Sequence, residues 1–148
     1  MMGVFIASDH AGVGAKKILL QHLQKWGHKP IDLGPGTEER IDYPLKAQEL
    51  ISQMTVDPNC CGILICGTGI GMSMAANRYR DIRAALCTTA EQAKMAKGHN
   101  DSNVLCLGAR VTSEEEIVEI VKAWIETPFE GGRHTHRLSL FTNLGSEP

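Results

Sequence analysis

The stretch Cys66-Gly67-Thr68-Gly69-Ile70-Gly71 places a thiol at the head of three alternate glycines. Glycines let the backbone approach a ligand closely, and a helix that begins in such a turn points its free N–H groups at negative charge. The turn is therefore suited to an oxyanion. The same helix end is expected to lower the pKa of Cys66 and give a thiolate able to act as base or nucleophile. A tight strand-to-helix turn closing on a small buried cysteine is the plainer reading, but the glycines flank the thiol at the ligand-binding end of a strand, which favours function.

Several standard motifs fail here. Counting from Gly67 or Gly69, the third glycine of G-x-G-x-x-G would be Met72 or Met74, so the dinucleotide fingerprint is not met. No Walker lysine is present. A phosphatase loop, Cys-x5-Arg-Ser, would need an arginine where Met72-Ser73 stands, and without it the phosphate clamp is missing. A second cluster, Glu130-Gly131-Gly132-Arg133-His134-Thr135-His136-Arg137, sets two arginines four residues apart with histidines between them. They could grip a phosphate through forked donors, although two arginines alone more often form a solvated helix face. His99-Asn100-Asp101 precedes the last strand, on the wrong side of the sheet for Cys66 unless a second subunit brings it there. His22 and His28 read as ordinary helix or loop residues. Cys60, Cys61, Cys87 and Cys106 read as small core or loop residues, and Met72, Met74 and Met95 as core fillers.

These residues sit in a chain of 148, about one domain, 43% hydrophobic, 22% charged and only 5% aromatic. A net charge of -2 leaves no electrostatic footprint for nucleic acid or an anionic membrane. No apolar run approaches the ~20 residues of a membrane span, and no signal peptide is legible, so a cytoplasmic protein is expected. An odd set of five cysteines without a C-x-x-C pair argues against a disulfide framework and a structural zinc site.

Unbroken apolar runs at Val4 to Ala7, Ile63 to Cys66, Ala84 to Cys87 and Val104 to Leu107 have the pattern of strands covered on both faces. Ile31-Asp32-Leu33 is weaker, and Pro30 suggests an edge. Apolar residues at helical spacing fall between the runs: Ala15, Ile18, Leu19, Leu23 and Trp26; Ala47, Leu50, Ile51 and Met54; Met72, Ala75, Ala76 and Tyr79. Thr88-x-x-Glu91 and Ser113-x-x-Glu116 read as capping boxes. Strand and helix alternate five times, which predicts an α/β fold: a three-layer α/β/α Rossmann-like domain over 1–148 with a five-stranded parallel sheet. The tail from about residue 129 to 148 carries Arg133, Arg137, Leu138, Phe141 and Leu144, an amphipathic helix expected to pack on a partner subunit.

Seven motifs in order, Ser8-Asp9-His10-Ala11-Gly12, Asp42-Tyr43-Pro44, Cys66 to Gly71, Ala75-Ala76-Asn77, His99-Asn100-Asp101, Gly108-Ala109-Arg110 and Gly131-Gly132-Arg133-His134, resemble the ribose-5-phosphate isomerase B and galactose-6-phosphate isomerase family from about residue 4 to 141. The resemblance implies interconversion of ribose 5-phosphate and ribulose 5-phosphate through an enediolate, with no metal and no organic cofactor. It implies Cys66, His99 and Thr68 as catalytic residues, Cys66 moving the proton between carbons and His99 opening the sugar ring. It implies a substrate-binding set of Asp9, His10, Tyr43, Gly67, Thr68, Gly69, Ile70, Gly71, Asn100, Arg110, Arg133, His134 and Arg137. The resemblance implies a dimer with sites shared between subunits, of the homodimeric type for this chain because the two-chain galactose-6-phosphate enzymes lack the cysteine in this turn, and dimers or tetramers both stay open. In one family branch a glutamate at the place of Met72 is the base; Met72 cannot take a proton, which implies the cysteine branch. Another sugar phosphate (allose 6-phosphate, galactose 6-phosphate or a tetrose phosphate) and a non-catalytic anion-binding module remain the competing readings.

Overall fold

The apolar runs become the parallel strands β1 (Gly3–Ser8), β3 (Cys60–Cys66), β4 (Ala84–Leu86) and β5 (Val104–Gly108), with β2 (Lys29–Asp32) at one edge, in a computed structural model that describes residues 2–145. The last three residues of the expected tail, 146–148, lie outside the described residues. The sheet order is β2-β1-β3-β5-β4, so the three most apolar strands fill the interior and Pro30 sits in the edge strand, where its missing N–H costs no ladder bond.

Alternation assigns each strand residue to one of two cores. Val4, Ile6, Ile63, Ile65, Leu105 and Leu107 pack beneath α1 (Val13–Lys25), α4 (Ala90–Gly98) and α5 (Glu114–Glu126), with Leu19, Leu23, Ile117, Ile120 and Trp124. Phe5, Ala7, Leu64, Cys66 and Cys106 face α2 (Tyr43–Met54) and α3 (Ile70–Ala76), with Leu50, Ile51, Met72 and Ala76. The expected Rossmann-like three-layer fold is what forms, and Cys66 belongs to the α2/α3 face.

Four local expectations shift. The Ser113 and Glu116 capping box is present, but α4 is capped one residue later than expected: Thr89 accepts from Gln92 N, while Gln92 Oε1 accepts from Thr88 N. Helix α3 stops at Ala76, so Tyr79 is outside it, because Asn77 turns its amide to both the N–H and the C=O of Ala84 at 2.9 Å and ties the chain to β4. Met72 is fully buried, but Met74 and Met95 are 67% and 47% exposed; two residues along a helix is more than half a turn away from the core. The tail is a helix, α6 (Arg133–Ser139), followed by a separate 3-10 turn (Leu140–Asn143) that leaves Leu140, Phe141 and Leu144 exposed.

Candidate active site

Three strand ends converge at the carboxyl edge. β3 ends on Cys66, 5% exposed, and the chain turns into α3 through Gly69, whose φ of +80° suits only glycine without strain. That turn brings Gly69 N to Cys66 Sγ at 3.1 Å, and Thr68 Oγ1 accepts from Ile70 N at 3.2 Å. Beside it, Asp9 N bonds Ile65 O, and Ala109 N and Arg110 N bond Cys66 O and Gly67 O, each at 2.9–3.0 Å, so the loops after β1, β3 and β5 are one hydrogen-bonded unit. The Arg110 side chain crosses over Gly67.

The first loop carries the acid and the imidazole. Asp9 is buried and its Oδ1 accepts from Ala11 N at 2.9 Å, capping the short 3-10 turn that holds His10. His10 Nδ1 accepts from Ile41 N at 3.4 Å, which fixes Nε2 as the protonated nitrogen of the neutral ring. Tyr43 opens α2 and lies flat against Gly71, where a β-carbon would stand 2.5 Å from Tyr43 Cζ. Cys66, the 67–71 turn, Asp9, His10, Tyr43 and Arg110 therefore gather at one edge.

His99, Asn100, Arg133, His134 and Arg137 gather at the other. His99 caps the end of α4 before β5, and about 13 Å of strand separates the two ends of β5. There His99 stacks on His134, ring centroids 4.4 Å apart and planes 12° apart, and Glu130 N bonds Gly98 O to hold the tail against α4. Clefts of about 440, 460 and 640 Å³ open on this amino edge, the second lined by Asn100 and Phe141. Glu130, which heads the second cluster but carries no expected role, faces both histidines; its signal is its place one turn before His134.

The four other thiols share one influence. Burial pushes Cys61 up to about 12, Cys87 up to about 11 and Cys106 higher still; Cys60 is raised by burial and the Asp57 charge. They stay protonated and inert at neutral pH.

An open parallel sheet with a cysteine-glycine turn at its carboxyl edge defines a Rossmann-like protein that takes a small ligand at the strand ends. The chain belongs to the Ribose/Galactose Isomerase family, which it matches over residues 4–141. Ribose-5-phosphate isomerase B of Escherichia coli is 39% identical over 144 residues, 97% of each chain. The solved structure of ribose-5-phosphate isomerase B from Mycoplasma genitalium with bound ribulose-5-phosphate superposes with a TM-score of 0.93 at 38% identity, covering 99% of this chain and 98% of that one. The Clostridium thermocellum ribose-5-phosphate isomerase B structure gives 0.92 at 39% identity over 95% of each chain.

Proposed function

We propose that this protein is an aldose–ketose isomerase that interconverts ribose 5-phosphate and ribulose 5-phosphate, with Cys66 as the base. The observation that carries the reading is Cys66 itself, a thiol at the head of a glycine turn that folds Gly69 N back to 3.1 Å from its sulfur. Cys66 Sγ takes the proton from C2 of the open-chain sugar, the electron pair forms the C1–C2 double bond, and negative charge gathers on the former carbonyl oxygen. In this reading the N–H groups of Thr68 and Gly71, which no turn hydrogen bond uses, donate to that oxygen, aided by the Thr68 hydroxyl; the Gly69 and Ile70 N–H groups are already engaged. Fixed donors stabilise developing charge more than the ground state, and one is worth about 3–4 kcal/mol. Return of the proton from Cys66 to C1, with the O2 hydroxyl proton passing to the O1 oxyanion, completes the ketose and restores the thiolate. Asp9, His10 through its Nε2–H, and Tyr43 hold sugar hydroxyls, and the phosphate is held by Arg110 with Arg133, Arg137 and His134.

His99, the ring-opening residue, and Asn100 lie at the opposite edge of the same chain. We therefore place each site between two copies in a homodimer, the amino edge of one chain completing the carboxyl edge of the other. The exposed Leu140, Phe141 and Leu144 of the tail support such packing. The test is proton NMR of ribose 5-phosphate in heavy water. Ketose formation with deuterium uptake at the reacting carbon, lost in Cys66→Ala while phosphate binding persists, is the expected result; full activity in the variant removes Cys66 as base.

A further inference from the structure

His99 Nε2 lies 3.7 Å from Glu130 Oε1 and His134 Nε2 lies 3.5 Å from Glu130 Oε2, and the three ligand atoms all fall within 4.8 Å of one another. These separations are too long for good hydrogen bonds. They run to the two different oxygens of one carboxylate, and the three groups stand near enough for side-chain rotation to bring them onto one ion, since bonds of about 2.0–2.1 Å to a tetrahedral zinc set neighbouring ligand atoms about 3.3–3.4 Å apart. The burial of the group adds to this: His134 is 6% exposed, and its Nε2, with only Glu130 Oε2 at 3.5 Å near it, has no hydrogen-bond partner. A nitrogen lone pair or N–H left so is costly, and an ion would satisfy it.

We infer that His99, Glu130 and His134 form a binding site for Zn2+, and that the ion inhibits the enzyme by occupying His99. Two imidazoles and a carboxylate are a borderline-soft donor set that suits zinc, with water as the fourth ligand on the exposed side. The nearly parallel rings require one imidazole to turn about its Cβ–Cγ bond. That ring is His99, whose side chain is 39% exposed, whereas His134 is held in place. The ion takes no part in isomerisation. Inhibition rests on the assignment of His99 to ring opening above; binding does not.

The experiment uses metal-stripped full-length protein and reads binding and turnover separately. Titration with Co2+ as a spectroscopic substitute is expected to give the visible bands of a low-coordinate nitrogen and oxygen site without a thiolate-to-cobalt charge-transfer band, unchanged in Cys66→Ala. Zn2+ is expected to inhibit ribose 5-phosphate turnover reversibly on addition of a chelator. Glu130→Gln is expected to weaken Co2+ binding by about tenfold or more and to raise by the same factor the Zn2+ concentration that halves the variant's own turnover, because even an outer partner of a metal ligand is worth that much. A thiolate band that vanishes in Cys66→Ala, equal inhibition in Glu130→Gln, or absence of Co2+ binding each overturns the site. Co2+ binding without any isomerase activity would leave the site standing and remove the catalytic reading.

Discussion

Cys66 and Gly69 act as one unit, because the left-handed backbone of Gly69 is what turns its N–H back onto the sulfur. Gly69→Ala should therefore fail in two ways. An L-residue in that conformation costs about 1–2 kcal/mol, and the added β-carbon would stand 2.6 Å from Leu86 Cδ1 and 2.9 Å from the Leu107 carbonyl carbon. A total loss of about 2–4 kcal/mol is expected in urea unfolding, with turnover down about a hundredfold from the misplaced turn. Gly36→Ala, where a β-carbon meets nothing within 4 Å, is the matched control and should change neither. The turn was legible in the sequence because its chemistry is local: six consecutive residues hold the thiol, the glycines and the helix start. Glu130 and Asn77 were not, since Glu130 meets His99 across 31 positions of chain and Asn77 acts on Ala84 only once β4 is in the sheet.

At the scale of elements, the interior strands and their helices followed from runs and spacing, and only ends and caps moved. What the pattern hid is how the weak edge strand is held. Lys16 on α1 is 1% exposed, yet its Nζ bonds Asp32 Oδ1 at 2.6 Å, and the same oxygen accepts from Gly34 N at 2.8 Å. Lys46 on α2 donates to Leu33 O at 2.6 Å, so a lysine from each side pins the end of β2. Burial pushes the Asp32 carboxyl up, but the Lys16 hydrogen bond, the Gly34 N–H and the charges of Lys16 and Lys46 outweigh it and hold it below its ordinary 3.8. A depressed carboxylate stabilises the fold above its unfolded pKa and loses that contribution as pH falls through the folded one. Asp32→Asn should therefore flatten the acid limb of stability below about pH 4, seen in thermal melts across pH. At neutral pH it should cost about 2 kcal/mol, less than a fully buried pair because the Asp32 side chain is 42% exposed, and more than Lys16→Met, which leaves no buried ammonium unpaired.

At the scale of the whole molecule, the residues proposed for its chemistry are divided between opposite edges of one sheet. Within a chain, Cys66 and His99 stand at opposite ends of the strands, too far apart to act on one five-carbon sugar. The proposed two-fold dimer would resolve this, since an isologous interface that joined a carboxyl edge to the partner's amino edge would do so twice over. Sharing of this kind has an arithmetic consequence. Cys66→Ala and His99→Ala homodimers should each be inactive, every site lacking one group. Unfolded together in equal amounts and refolded, they should give half mixed dimers, in which one site carries both substitutions and the other carries neither, so that about a quarter of wild-type turnover returns. Sites confined to single chains would return none, because no chain in the mixture holds both groups. Recovery near a quarter would therefore place Cys66 and His99 of one site on different subunits, while no recovery from well-folded dimers would require a closure within one chain that carries His99 past the length of β5.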